Sequence, residues 1–245
     1  MDFAWLWSAY DWQAGLALIA MVVVLGKAGR WLAFKVPAFQ RAREQNRALD
    51  KERLAKEKYL PMIRRSMRAG LWTNVAFFFL MAPFVVSFEP RPVWRGLADI
   101  VLILMVYDFF YYVTHRFLFH AAHDSRFAVL RYFRRVHAVH HQARDPSHID
   151  AFYVHPVETT IGQVLFHFTV LGLGLALGGF HVVSVGIAAV IYIQLNTFNH
   201  VKFEVPGYNL LNWISYKHHV HHIDMQKGNY ATITLLYDKL FGTLD

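Results

Sequence analysis

Residues 97–120 read LADIVLILMVYDFFYYVTHRFLFH. An apolar run over 97–113, near the length of a hydrocarbon crossing, ends in two histidines, His115 and His120. Four further stretches have the same character: 12–34, 71–88, 160–177 and 182–198. The whole chain is 56% hydrophobic and 17% charged, where soluble domains average about 45–50% and about 25%. That excess does not fit inside one water-soluble core, so the fold class expected is all-α, a multi-spanning transmembrane helical bundle. Span 12–34 is expected to stay as an anchor, since Lys27 is the first cation. Residues 178–181, Gly-Gly-Phe-His, mark a tight hairpin between the last two spans.

Residues 40–68 carry ten Lys or Arg against four acids. Cations concentrate on the cytoplasmic side, so this segment is predicted to face the cytoplasm. Five crossings then put the N-terminus, 89–96 and 178–181 outside, with 114–158 and everything after His200 inside. The net charge of +8 suits an anionic membrane surface better than nucleic acid, given the apolar excess. The expected location is a bacterial cytoplasmic membrane, with a histidine-rich metal site facing the cytoplasm.

The chain has no cysteine and 15 histidines. Thiolate metal sites, iron–sulfur clusters and disulfides are excluded, and any metal must be held by His, Asp or Glu. The histidines group as His115 and His120, then His137, His140 and His141, then His218, His219, His221 and His222. The spacing i, i+3, i+4 occurs twice and puts three imidazoles on one helix face, able to converge on one point. His115 and His120, about 140° apart on an ideal helix, need a helix end or a cavity between them. Without His219, which points off the ligand face, the boxes supply eight ligands, twice what one tetrahedral metal takes, so two metals are expected. His200 and His155 extend the candidate set. Asp108, two turns before His115 on the same face, is an intramembrane carboxylate and hence a catalytic candidate, either bonding a ligand histidine or itself a ligand. Tyr111 and Tyr112 read as an interfacial aromatic belt. His123, His148, His167 and His181 are expected to be structural.

These boxes resemble the fatty acid hydroxylase and sterol desaturase superfamily of membrane di-iron enzymes, whose pattern is HX3-4H, HX2-3HH and a late HX2-3HH. The likeness extends to Asp108, Arg116, His155-Pro156, Asn199-His200, Gly228-Asn229-Tyr230 and the closing run 237–243, YDKLFGT. It divides the chain into an N-terminal part, 1–96, and a hydroxylase-like part, 97–245. It implies two iron ions, O2 as co-substrate, and hydroxylation or desaturation of a C–H bond in a lipid such as an acyl chain or a sterol-like lipid. Asn196 stands where some hydroxylases have a further histidine. A separate electron donor, a ferredoxin or a cytochrome b5 type with its reductase, is expected, and Arg134, Arg135 and Arg144 beside the second box suit an acidic partner. The rival chemistry is a zinc-dependent integral membrane hydrolase. It needs a general base beside the metal, as in H-E-x-x-H, which this chain lacks; Glu158 and Glu204 are the nearest acids.

Overall fold

The computed structural model describes residues 10–245. The expected outside position of the N-terminus, and the start of the 1–96 part, fall on residues 1–9 and lie outside the described residues. Asp11 opens helix α1, Trp12–Ala33, its Oδ1 accepting from the Ala14 N–H at 2.9 Å. Pro37 then begins the basic helix α2, Pro37–Leu54, where a missing N–H costs nothing. Helix α3 spans Tyr59–Leu80, α4 Val93–Thr114, α5 Ala128–Ala138 and α6 Pro156–Leu177. Helices α7, Val182–Phe198, α8, Asn209–Ile223, and the short α9, Leu236–Leu240, complete the order. Two-residue strands β1, Val86–Ser87, and β2, Phe180–His181, pair in parallel and tie the α3–α4 connection to the α6–α7 hairpin. Gly178 turns that hairpin at φ 74°, the left-handed region favouring glycine.

Among the described residues, three helical segments are long and apolar enough to cross a membrane: Trp12–Ala33, Val93–Phe119 and Pro156–Leu177. Helix α7 is apolar but has 17 residues, the lower limit of about 17–25 for a crossing. The expected span 71–88 is corrected. Helix α3 starts at Tyr59, carries Arg64, Arg65 and Arg68 in its first half, and stops at Leu80 ahead of a 3-10 turn at Ala82–Phe84. Pro83 sits in that turn and has no N–H with which to continue a helix.

The core lies where α1, α3, α4, α6 and α7 meet, built from Leu18, Phe77, Ile103, Tyr107, Phe166, Val170 and Val185. A Cβ at Gly174 would stand 2.6 Å from Val85 Cβ, so α6 approaches that connection closer than any larger residue permits. Outward faces are apolar, with Val24, Trp31, Val101 and Leu175 exposed. Helix α2 and the start of α3 pack at the histidine-bearing end. Asn46 bonds the His148 N–H and the Lys202 backbone, Arg53 reaches Asp150 and the Asp145 carbonyl, and Lys58 reaches Gln142. The basic segment and the histidine loops therefore share one face of the molecule.

Candidate metal centre

Helix α4 does not stop at Thr114 but widens into a π-helical turn, His115–Phe119, in which the His120 N–H donates to the His115 carbonyl at 3.0 Å. An i→i+5 hydrogen bond stacks residues five apart, which resolves the 140° problem without a helix end between them. The α5 helix ends at Ala138, and His140–Gln142 continue as a 3-10 turn. His200 follows α7, and α8 carries His218, His221 and His222.

Nine histidines assemble into two groups, with the candidate ligand atoms in each group within 4.8 Å of one another: His115, His120, His137, His141 and His221; and His140, His200, His218 and His222. The expectation that each i, i+3, i+4 triplet converges on one point is corrected. His137 and His141 enter the five-histidine group while His140 enters the other, and His218 and His222 enter the four-histidine group while His221 enters the first. In each box the i, i+4 pair is shared and the i+3 member crosses over. The two groups are thus linked at adjacent residues, 140–141 and 221–222.

The proton positions follow from the partners. Nδ1 lies 2.7 Å from the Tyr230 carbonyl in His115, 2.8 Å from that of Met225 in His120 and 2.7 Å from that of Gly228 in His221. In His200 and His222 the acceptors are the Asn196 and Ala143 carbonyls, at 3.0 and 2.9 Å. In His137 the acceptor is Glu158 Oε1 at 2.7 Å. A carbonyl only accepts, as does Glu158 in its ionised form, so in that form each Nδ1 donates and each neutral ring presents a lone pair at Nε2. Yet Nε2 of His137 is 3.1 Å from that of His115 and 3.0 Å from that of His120. Two lone pairs at that distance repel rather than bond. His221 Nε2 is buried with no hydrogen-bond partner among the described residues.

Protons do not relieve this. Burial lowers His120 to about 3 and His140 and His221 to about 4, and burial together with neighbouring imidazoles pushes His137, His141, His200, His218 and His222 down as well. Near neutral pH the rings are uncharged, the form that binds metal. Converging lone pairs on neutral, backbone-anchored imidazoles fit cations, and both clusters could hold metal.

Other expected residues lie elsewhere. His155 belongs to neither group: its Nδ1 accepts from the Val157 N–H at 3.2 Å and caps α6, because Pro156 at the first helical position aims the ring at the helix start. Asp108 contacts no histidine. Its Oδ1 accepts from the Thr232 and Ile233 N–H groups, and its Oδ2 from the Thr234 N–H and hydroxyl, at 2.8–2.9 Å. The carboxylate that does bond a clustered histidine is Glu158, one turn after His155-Pro156, and its other oxygen, Oε2, is buried without a partner among the described residues. The readable signal for it was an acid in the first turn of an apolar helix beside a histidine. Asn196 does not substitute for a ligand: its Oδ1 accepts from Thr232 Oγ1 and its Nδ2 donates to the Tyr192 carbonyl. His219 lies between the Ser215 and Pro146 carbonyls, outside both groups. His167 stacks on Phe77 and His181 caps α7. Tyr112 is not part of a surface belt; it is 1% exposed and holds Thr243 and Arg116 by its hydroxyl.

The C-terminal segment closes the site. Asn229, at φ 61°, donates its N–H to the Thr243 carbonyl, while Asp238 accepts from Tyr230 N–H, Ala231 N–H and Thr243 Oγ1. This lock holds the Gly228 and Tyr230 carbonyls where His221 and His115 need them.

Comparison with known proteins agrees with this geometry. The chain is 32% identical over 164 residues to methylsterol monooxygenase 1 of Rattus norvegicus, covering 64% of this chain and 50% of that protein. It is 29% identical over 154 residues to a putative methylsterol monooxygenase of Dictyostelium discoideum, covering 60% and 51%. It is also 29% identical over 162 residues to a very-long-chain aldehyde decarbonylase of Oryza sativa subsp. indica, covering 63% and 55%. The chain thus spans about half the length of these curated relatives. No solved structure matches it. The family model for fatty acid hydroxylase matches residues 100–243, which contain all nine clustered histidines and the C-terminal lock, and the chain belongs to the fatty acid hydroxylase family.

Proposed function

We propose that this chain is a membrane-bound di-iron oxygenase that uses O2 and two electrons to hydroxylate or desaturate a C–H bond of a lipid. The observation that carries the reading is the gathering of nine imidazoles into two adjoining groups, with Nε2 atoms facing one another at 2.9–3.1 Å in both. Five nitrogens in one group exceed the tetrahedral set of zinc, and an all-imidazole environment suits iron. Bound iron supplies the O2 and electron chemistry that side chains lack. The protein's part is placement: carbonyls of 196, 225, 228 and 230 fix the rings, and Glu158 orients His137 and raises its basicity. The zinc hydrolase alternative is less well supported, since Glu158 is engaged by His137 and Glu204 is exposed. Relatives named for a methylsterol and a very-long-chain aldehyde support a lipid substrate.

The site is proposed to face the cytoplasm, because it shares its molecular face with the basic α2–α3 segment. Electrons come from a separate ferredoxin or cytochrome b5 type donor, for which the exposed Arg135 and Arg144 offer charge. Lipids of a host with and without the chain, compared by mass spectrometry under 18O2, test the reaction. A gain of one labelled oxygen, or a loss of two hydrogens, that disappears in His140→Ala is expected. Products labelled from water instead would reject an oxygenase.

A further inference from the structure

The hydroxyl of Tyr112, a buried residue of α4, accepts from Arg116 Nη1 at 2.6 Å and lies 3.0 Å from Thr243 Oγ1. Thr243 Oγ1 in turn lies 2.8 Å from Asp238 Oδ1. A carboxylate accepts, so the single threonine hydrogen points to Asp238 and the Tyr112 hydrogen points to Thr243. Asp238 is itself fully buried and takes two backbone N–H groups, those of Tyr230 and Ala231. A directed chain of hydrogen bonds thus runs from a buried phenol to a buried carboxylate. Burial lifts the Asp238 carboxyl above its ordinary value against the pull of those N–H groups, which readies it to take a proton.

The same phenol is joined to the five-histidine group through rings. The centres of Tyr112 and Tyr230 are 6.1 Å apart, and Tyr230 lies 5.6, 5.1 and 5.7 Å from the rings of His115, His120 and His221. Rings at these spacings meet at their edges, which gives an electron a short path. Oxidising a phenol needs an exit for the proton as well, because the oxidised ring is a strong acid. Tyr112 has both exits. Tyr237, 6.3 Å beyond it, does not: its hydroxyl donates to the Met105 carbonyl, which does not take up a proton near neutral pH. Phe241 stacks on Tyr112 at 5.3 Å and 20° and shields the ring from solvent.

We infer that Tyr112 is a redox-active tyrosine that gives one electron to the O2-oxidised metal centre when no lipid C–H bond is within reach. The inference rests on the proposed di-iron oxygenase, whose O2 chemistry supplies the oxidant. The Tyr112 O–H bond breaks, and its electron passes by way of Tyr230 and reduces the centre by one. Its proton passes to Thr243 Oγ1 as the threonine proton moves to Asp238. Tyr112 is left as a neutral radical and Asp238 as a carboxylic acid. One electron from the separate donor, with return of the proton, restores the phenol. Without this outlet an oxidant lacking substrate attacks the side chains nearest to it, and those are the ligand histidines.

The test uses the iron-loaded full chain in detergent micelles without added lipid, reduced anaerobically, mixed with O2 and frozen for electron paramagnetic resonance. The narrow signal of an oxidised tyrosine is expected, altered when the cells are grown on ring-deuterated tyrosine. Tyr112→Phe should lose this signal with iron content unchanged. Thr243→Val, which leaves the phenol in place and breaks the proton path, should lose it too, while Thr243→Ser should keep it. The threonine pair also covers the case in which Tyr112→Phe does not fold. After repeated O2 cycles, peptide mass spectrometry should find added oxygen on Tyr112 in the unaltered protein and on His115 or His120 in Tyr112→Phe. A tyrosine signal of undiminished size in Tyr112→Phe or in Thr243→Val would overturn the inference. O2 uptake is read on the same samples: uptake with no tyrosine signal removes this inference alone, and no uptake by iron-loaded protein removes the proposed reaction and the inference with it.

Discussion

Asp108 offers a sharp test because its position suggests catalysis while its contacts indicate support. The carboxylate is fully buried and accepts three backbone N–H groups and one hydroxyl from Thr232–Thr234. Asp108→Ala leaves three buried N–H donors without acceptors. At about 1–3 kcal/mol each the loss is about 3–9 kcal/mol, comparable to the roughly 5–15 kcal/mol that holds a domain together. That variant is expected not to accumulate as folded protein. Asp108→Asn keeps one accepting oxygen and turns an NH2 toward the Thr234 donors, for a loss of roughly 2–4 kcal/mol or about 4–16 °C in Tm for a chain of this size. Thermal unfolding of the detergent-solubilised protein, with iron content measured on the same samples, reads both. Should Asp108→Ala fold with unaltered Tm and full iron yet lose turnover, the carboxylate would be catalytic and the supporting role wrong.

Glu158→Gln should weaken metal retention about 10–100-fold by removing the charge behind His137, measured by chelator competition, with membrane insertion unchanged. In the metal-free protein His120, His140 and His221 titrate at about 3, 4 and 4 against an unfolded value of 6.5, so the unfolded chain binds more protons in between. Stability of that form should therefore be complete above pH 6.5 and fall progressively toward pH 4, and a denaturation midpoint independent of pH over this window would contradict the buried neutral rings. Cysteines placed at Asp145 and at Glu89 should be labelled from opposite sides of intact cells by an impermeant reagent; labelling of both from outside would reject the cytoplasmic orientation. Charge reversal at Arg135 and Arg144 should slow turnover driven by a protein donor and spare turnover driven by a small chemical reductant, with equal effects on both arguing against docking there.

Hydropathy made the spans of α1, α4, α6 and α7 legible, because burial in lipid leaves a long apolar run with few alternatives. The 71–88 stretch misled, since hydropathy registers neither Pro83 nor a helix that begins in basic residues at Tyr59 and becomes apolar half-way along. Eight of the nine clustered histidines are readable from their boxes, and His200 from its neighbour Asn199. Their division into two groups is not, because the i, i+3, i+4 spacing does not say which rings from other segments each imidazole meets: the i+3 member crosses over both beside the 3-10 turn at His140–Gln142 and within the continuous helix α8. The π turn at His115–Phe119 likewise has no marker in the residues themselves beyond the five-residue spacing it serves. Roles for Asp108, Glu158 and His155 depend on contacts between segments far apart in the chain, which spacing does not encode.

Two adjoining imidazole-lined iron sites are most directly tested by elemental analysis of the protein purified anaerobically from iron-supplemented cells, alongside His200→Ala. Two irons per chain are expected for the unaltered protein, and about one for the variant, since His200 belongs to the four-histidine group and leaves the five-histidine group intact. A single tightly held zinc in the unaltered protein, or no stoichiometric metal at all, would contradict the di-iron reading.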